Sequence, residues 1–286
     1  MTHELTIHNT AIVLDSTCDA PAGFFDRAGL FMVPLKVHFG DEMYRDGIDI
    51  THDEFYAKLG ASATLPTTSQ PTVGEFTAVY EAVTKEYEHV FSIHISAEMS
   101  GTVQAARQAA EAFPGVEVFD TRNVTSGMAL CAERLRFRLE RGTTLEELRD
   151  YMAHTIANSR LMVHVATLEY LRRGGRIGRA ASLVGGVLDL KPLIQNVDGL
   201  LAPYAKVRGQ KKAEAAMERF LNEFTKPTDD LYYVLIDALN DDEPPRLKSL
   251  IERVRPNAHF VFCGKVGAVV GTHIGPGTAG FAFIAE

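Results

Sequence analysis

Five short polar motifs hold the residues of this chain whose types and spacing could do chemistry. They are Asp15-Ser16-Thr17, Thr67-Thr68-Ser69-Gln70-Pro71, Met99-Ser100-Gly101-Thr102, Gly174-Gly175-Arg176 and His273-Ile274-Gly275-Pro276-Gly277. Each lies where an apolar run ends and a loop or helix begins. Hydroxyls, glycines and one histidine predominate over acid–base pairs, so this donor set favours holding an anionic head group over breaking bonds.

The motif around Ser100 lies between a predicted buried strand and a predicted helix. Such a helix start exposes free backbone N–H groups and a partial positive charge, which attract anions. Ser100 and Thr102 add hydroxyl donors, but an equally simple interpretation makes Ser100 an ordinary N-cap.

Two further hydroxyl-rich motifs also have structural alternatives. Thr68 lies in a segment that is also typical of a turn before a helix-entry proline. Asp15-Ser16-Thr17 follows the first predicted strand, at the end of a parallel sheet where ligands usually bind. Asp15 is equally well interpreted as the cap of the following turn.

The chain has one dense cation cluster, formed by Arg172, Arg173, Arg176 and Arg179. It is interpreted as solvated surface, as a docking patch for an acidic partner, or as a site where one arginine lies near a ligand's charge.

His273 opens a Gly-Pro-Gly segment, although most single histidines have no chemical role. Residues 275–280 spell G-x-G-x-x-G, but no room remains for the helix and acidic residue of a dinucleotide site.

The composition excludes several functional classes. The chain has 286 residues, 46% of them hydrophobic and 23% charged, with a net charge of −8. An acidic chain is a poor partner for nucleic acid. Three widely spaced cysteines, no zinc-type Cys/His spacing and no signal-peptide pattern at the start predict a cytoplasmic protein without metal. No apolar run is long enough to span a membrane, so we expect at most transient membrane contact.

The order of apolar runs predicts two domains. In residues 1–158, strands alternate with helices, which predicts an α/β domain with a mainly parallel sheet and helices on both faces. Capping boxes at Thr51/Glu54 and Thr144/Glu147 mark two of its helix starts. In residues 159–286, a hairpin signal at Asp198-Gly199 occurs among helices, which predicts an α+β domain with a mixed or antiparallel sheet. The remaining predictions include strands over Phe31–Val37 and His259–Val270 and a helix over Gly178–Leu188.

Taken together and in order, the motifs resemble those of the DegV family of fatty-acid-binding proteins. The matching strings include IVLDSTCDAP, TTSQPTVGEF, ISAEMSGTVQAARQAA, YLRRGGRIGRAASLVGGVLDLKPLI, KVRGQKKA and HIGPG. The resemblance implies a long-chain fatty acid bound at the domain interface. Carried over by motif, Thr68, Ser100 and His273 would contact its carboxylate, with Thr67, Gly101, Thr102 and Arg176 nearby.

The resemblance also implies a partner. Members of the family look like the lipid-binding subunit of fatty acid kinase, which presents the carboxyl group to a separate ATP-using subunit and has no catalytic centre of its own. Arg172, Arg173 and Arg179 would then be docking residues. Three residues depart from the usual family pattern: Gly178 replaces a serine, Ala20 replaces a leucine at the end of STCDA, and Met99 replaces a leucine. These departures leave acyl-chain preference and partner pairing open.

Three alternatives stay open at this point. Ser100 and His273 could be the catalytic residues of a hydrolase or of a small-molecule phosphotransferase, or the chain could be a regulatory module that uses lipid as a signal.

The tunnel for the acyl chain could be lined by Ala181–Leu190 and by Phe281–Ile284, although both runs are also typical of an ordinary core.

Overall fold

A computed structural model describes residues 4–183 and 190–286. Four parallel strands form the main sheet of the N-terminal domain. In spatial order they are β2 (Leu30–Val33), β1 (Thr10–Asp15), β6 (His89–His94) and β7 (Val116–Asp120).

Alternation along β1 explains how this sheet is covered on both faces. Ala11 and Val13 pack beneath α2 (Val73–Val83) and α3 (Thr102–Ala110). Ile12 and Leu14 point to the opposite face, where α4 (Ser126–Leu139) lies. Successive side chains of a strand face opposite ways, so an uninterrupted apolar run fits a strand buried on both sides. The predicted parallel sheet with helices on both faces is confirmed.

A second, antiparallel sheet of three short strands was not predicted. It has the order β4 (Glu42–Arg45), β3 (Lys36–Phe39) and β5 (Thr67–Ser69). The prediction of one strand over Phe31–Val37 is therefore wrong, because β2 and β3 belong to different sheets. Pro34 lies between them and has no N–H to donate to a ladder. Helix α1 (His52–Ala61) begins at the predicted capping box of Thr51 and Glu54.

The C-terminal domain contains a six-stranded mixed sheet, as predicted. Its spatial order is β10 (Leu200–Arg208), β9 (Leu190–Val197), β8 (Ser159–His164), β13 (Thr278–Ala285), β11 (Leu231–Ala238) and β12 (His259–Lys265). Only the pairing of β11 with β12 is parallel. The turn between β9 and β10 is the predicted hairpin, with φ of 54° at Asp198 and 82° at Gly199.

Helices cover both faces of this sheet. On the outer face, α7 (Gln210–Phe224) and α8 (Glu243–Val254) bury Phe281 and Phe283. On the inner face lie α4 and α5 (Leu145–Asn158), whose start at Thr144/Glu147 was predicted. Helix α4 contacts strands of both main sheets and so joins the two domains. Strand β8 begins at Ser159, and the division of the chain at 158/159 stays a prediction.

Two short helices complete the part of the chain that positions the site. They are α6 (Glu169–Arg173) and α9 (Ala268–Ile274). The predicted strand over His259–Val270 is wrong beyond Lys265, because Ala268–Val270 start α9. Three-ten turns occupy Ser16–Cys18, Phe24–Asp26 and Gly178–Leu183. The rest of the helix predicted over Gly178–Leu188 lies outside the described residues. None of the helices within 4–183 and 190–286 is long and apolar enough to cross a bilayer.

Candidate ligand-binding site

A cavity of about 310 Å³ has walls from both domains. Leu161, Val163 and Val165 follow the two-residue period of β8 and its extension, so one face of that strand faces the cavity. Most of the remaining wall is also aliphatic: Leu35, Ile95, Met99, Val124, Leu171, Leu201, Val269, Val270 and Ile274. The volume lies at the lower end of the range typical of small-molecule pockets.

The predicted wall residues differ from the observed ones. Phe281 and Phe283 pack beneath α7 and α8, and Ala282 and Ile284 belong to the central core. The neighbouring strand β8 lines the cavity in place of β13. Of the predicted run Ala181–Leu190, residues 184–189 and the side chain of Leu190 lie outside the description.

Thr68, Ser100, Arg176 and His273 are polar residues of the cavity wall. All four residues were singled out from the sequence, and they come from separate elements of both domains. Thr68, Ser100 and His273 are half-buried, whereas Arg176 and the neighbouring Gln70 are exposed. The polar part of the wall therefore reaches the protein surface.

Thr68 and His273 are in direct contact across 205 positions of the sequence. Thr68 Oγ1 and His273 Nε2 lie 2.8 Å apart. Strand β5 places Thr68 opposite Val37 of β3, so Thr68 lies on a strand and not in the predicted loop. His273 lies in the last turn of α9 and not at the opening of a loop.

His273 is neutral at physiological pH. Burial, with a smaller effect from the Arg176 charge, lowers the pKa of the His273 imidazole to about 4. Nδ1 is buried and has no hydrogen-bond partner among the described residues. A proton on Nε2 avoids an unpaired buried N–H and lets the ring donate to Thr68 Oγ1. The Thr68 hydroxyl is then free to donate its own proton into the cavity.

Gly174 explains part of the Gly-Gly-Arg motif. A Cβ added to Gly174 would lie 2.3 Å from His273 Nδ1, closer than any real Cβ contact. The backbone that follows α6 therefore rests directly against the imidazole and holds it in place. Arg176, two residues on, donates from Nη1 to the Gly174 carbonyl at 2.9 Å and reaches the Met99 carbonyl at 3.5 Å.

Ser100 belongs to the loop before α3. Its Oγ lies 2.8 Å from Thr102 Oγ1, and it accepts a weak bond from the Thr102 N–H at 3.4 Å. Gly101 is the N-cap residue of α3 without a side-chain cap. A Cβ there would lie 2.2 Å from Gln70 Oε1, so Gly101 makes room for the Gln70 side chain. Sequence reasoning did not single out Gln70 as a site residue, although it lies in the Thr68 motif.

Two buried aspartates anchor the start of α9. Asp19 Oδ1 accepts from the Gly267 N–H at 2.8 Å, and Asp46 Oδ1 accepts from the Ala268 N–H at 2.9 Å. Burial raises the pKa of Asp46 to about 6 and raises that of Asp19 well above its ordinary value. On the opposite side, Gly271 fits closely against Tyr56 of α1. These long-range contacts stabilise the helix that begins at Ala268, where the sequence pattern indicated a strand as far as Val270.

Thr17 and Ser69 of the predicted motifs also line the cavity, whereas the other predicted residues lie around it. Thr67 is exposed on β5, and Thr102 is buried behind Ser100. Arg172, Arg173 and Arg179 are exposed, and Arg172 forms an ion pair with Glu169 at 2.8 Å. Asp15 accepts the Thr17 N–H at 3.1 Å, which supports its interpretation as a turn cap.

The geometry does not favour a catalytic role for Ser100 and His273 together. Ser100 pairs with Thr102, while His273 pairs with Thr68. A Ser–His–Asp chain does occur elsewhere, because His94 links Ser92 at 2.7 Å to Asp15 at 3.1 Å. All three of its residues are fully buried, so no substrate can reach that serine. Within the described residues, no cluster of three or more His, Cys, Asp or Glu side chains could hold a metal ion.

An aliphatic cavity whose wall also carries neutral hydroxyls and an imidazole is typical of a binding protein for an amphipathic ligand. Comparison with known proteins agrees with this class. The model of the DegV family, described as an uncharacterised protein family, matches residues 9–286. A DegV domain-containing protein of Caldanaerobacter subterraneus subsp. tengcongensis is 34% identical over 278 residues, which cover 96% of this chain and 98% of that protein. The chain belongs to the DegV family.

Two solved structures show the same fold over nearly all of both chains. A DegV family protein from Thermus thermophilus, described by its fatty acid binding, superposes with a TM-score of 0.89 at 34% identity. The match covers 97% of this chain and 100% of that one. DegV from Bacillus subtilis, described as a fatty acid binding protein, has a TM-score of 0.86 at 29% identity. The match covers 98% of this chain and 100% of the Bacillus subtilis chain.

Proposed function

We propose that this protein binds a long-chain fatty acid, with the acyl tail in the aliphatic cavity and the carboxylate at Thr68, Ser100 and His273. The observation that carries the proposal is that Thr68, Ser100 and His273 all line one aliphatic cavity, with the Thr68 hydroxyl bonded to the imidazole and free to donate its own proton. The fatty acid binding described for the Thermus thermophilus and Bacillus subtilis relatives supports the same ligand class.

The energetics of such a ligand match the two parts of the wall. Burying a methylene contributes about 0.8 kcal/mol, so a sixteen-carbon tail contributes on the order of 10 kcal/mol before ordering costs. A buried carboxylate without hydrogen bonds would offset much of this gain. The Thr68 and Ser100 hydroxyls would supply donors, and Arg176 at the surface would supply a favourable charge.

Organic extraction and mass spectrometry of protein purified from bacteria test this proposal directly. We expect a co-purified fatty acid of roughly C14–C18. A protein that carries no fatty acid and also refuses added palmitate and oleate would refute the proposed function.

Removing a head-group hydroxyl should weaken palmitate binding. Thr68→Val keeps the side-chain shape and removes the donor, and Ser100→Ala does the same for the second hydroxyl. If these donors are desolvated, each change reduces the binding free energy by about 1–3 kcal/mol. Titration with a fluorescent fatty acid measures the loss, and Ser249→Ala on α8 is the matched control. Wild-type affinity in both site variants would contradict the assignment.

We further propose that the bound acid is presented to a separate ATP-dependent kinase subunit, which makes the acyl phosphate, and that this chain has no catalytic centre of its own. Three features support presentation. The chain contains no Walker A motif, the carboxylate donors are neutral, and Arg176 lies at the surface beside them. The exposed Arg173 and Arg179 lie on either side of Arg176 in the same segment and would meet an acidic surface of the partner.

Charge reversal at this segment should separate docking from lipid binding. We expect Arg173→Glu and Arg179→Glu to reduce acyl-phosphate formation by the kinase pair roughly tenfold, because rim charges govern association. The palmitate dissociation constant should stay unchanged, since neither side chain lines the cavity. Arg253→Glu on α8 serves as the control. Equal loss of lipid binding and acyl-phosphate formation would refute a docking role.

A further inference from the structure

The β9–β10 hairpin turn of the C-terminal domain touches the loop that carries Ser100. That loop begins at Ser96, which is fully buried just after β6. Ser96 Oγ donates to the Gly199 carbonyl at 2.7 Å, across the domain boundary predicted from the sequence. Ser96 therefore connects the turn of one domain to a loop of the other.

Ser96 also organises the loop through its other polar atoms. Its carbonyl accepts from the N–H groups of Met99 at 3.0 Å and Ser100 at 3.1 Å. Its Oγ accepts from the Glu98 N–H at 3.2 Å, and its own N–H donates to the Asn123 carbonyl at 2.9 Å. Three consecutive amides of the loop, up to and including that of Ser100, thus bond to this one residue.

The turn fits against Ser96 without spare room. A Cβ added to Gly199 would lie 2.4 Å from Ser96 Oγ and 3.3 Å from Glu98 Cγ. The positive φ at Asp198 and Gly199 is the geometry of a tight hairpin turn that favours glycine. A second link lies two residues before the turn, where Asn196 Nδ2 donates to the Arg122 carbonyl at 2.9 Å.

We propose that Ser96 is a positioning residue, and that it and the Asp198-Gly199 turn form a clasp that places Ser100 relative to Thr68 and His273. Ser100 comes from the loop of the N-terminal domain, whereas His273 comes from α9 of the C-terminal domain. Leu201, two residues after Gly199, lines the cavity, so one hairpin positions a wall residue and holds the head-group loop. The role in palmitate binding rests on the proposed function, whereas the hydrogen bond between Ser96 and Gly199 does not.

A double-mutant cycle on palmitate affinity tests the clasp in the ligand-bound protein. Ser96→Ala should weaken palmitate binding about tenfold, because the loop loses two hydrogen bonds. In the Ser100→Ala background the same change should have little further effect, since Ser96 acts through Ser100. The carboxyl ¹³C resonance of bound [1-¹³C]palmitate should shift in Ser96→Ala and stay in place in the control Ser249→Ala. Additive losses of affinity in the cycle would overturn the positioning role.

Amide hydrogen exchange of the ligand-free protein tests the clasp independently of any ligand. The Glu98 N–H loses its Oγ acceptor in Ser96→Ala, so it should exchange about tenfold faster there and at the wild-type rate in Ser249→Ala. The Met99 and Ser100 N–H groups keep the Ser96 carbonyl as their acceptor, so faster exchange at these two amides measures release of the loop from the hairpin turn. Unchanged exchange in Ser96→Ala would overturn the clasp. If wild-type protein binds no palmitate but exchange accelerates as expected, the clasp stands and the proposed ligand fails.

Discussion

Val163→Phe is expected to weaken palmitate binding on the order of a hundredfold. Val163 is the middle one of three cavity-facing residues in β8 and its extension, and it is 5% exposed. A phenyl ring at this position would occupy space proposed for the acyl tail. Displacing about four methylenes loses on the order of 3 kcal/mol of burial, which corresponds to a factor of more than a hundred.

Chain length gives this prediction a second measurement. A ten-carbon acid leaves part of the cavity empty, so its affinity should fall less than that of palmitate in Val163→Phe. Val207→Phe is the matched control, because Val207 lies on the same sheet but packs against the outer core. The melting temperature of each variant separates loss of binding from loss of folding. Palmitate affinity at the wild-type level in a folded Val163→Phe would show that the tail lies elsewhere.

Asp46→Asn is expected to stabilise the protein by about 3 kcal/mol at pH 8. Asp46 is 2% exposed, and burial, with a smaller effect from the Asp15 charge, raises its pKa from an ordinary 3.8 to about 6. A carboxyl whose pKa is higher in the folded state than in the unfolded state stabilises the fold as long as it is protonated. This stability is fully present below the unfolded pKa and is lost as the pH rises through about 6. The difference between the two pKa values corresponds to about 3 kcal/mol.

The pH dependence distinguishes this cause from a packing effect. Asparagine can keep the bond from the Ala268 N–H through its Oδ1, and it carries no charge to bury. Denaturant unfolding should therefore show a gain for Asp46→Asn at pH 8 that disappears near pH 4. Asp49→Asn is the control, because Arg45 holds the pKa of this exposed aspartate at about 2 and its loss should bring no gain. An equal gain at both pH values would contradict the burial of a charge at Asp46.

Elements with local signals were the most predictable parts of the fold. The capping boxes at Thr51 and Thr144 involve residues three apart, and both helices begin there. The Asp198-Gly199 turn depends on the backbone preference of two adjacent residues. The same signal at Thr72 and Glu75 starts α2.

Elements determined by distant contacts were predicted less well. The sequence run through Val266–Val270 is compatible with strand or helix, and the bonds from Gly267 and Ala268 to Asp19 and Asp46 decide for helix. Sequence reasoning did not find Ser96 either. A single serine after an apolar strand has no distinctive pattern, and its partner Gly199 lies 103 positions away.

The sequence by itself determined the alternating elements, the two-domain α/β class and the motifs that resemble the DegV family. Hydrophobic period, helix caps and turn residues act over a few positions, so they can be read along the chain. Only the tertiary structure decided that Thr68 contacts His273, that β8 and not β13 lines the cavity, and that Ser96 meets the hairpin turn. Such contacts depend on how the two sheets and α9 pack against one another, which no local pattern specifies.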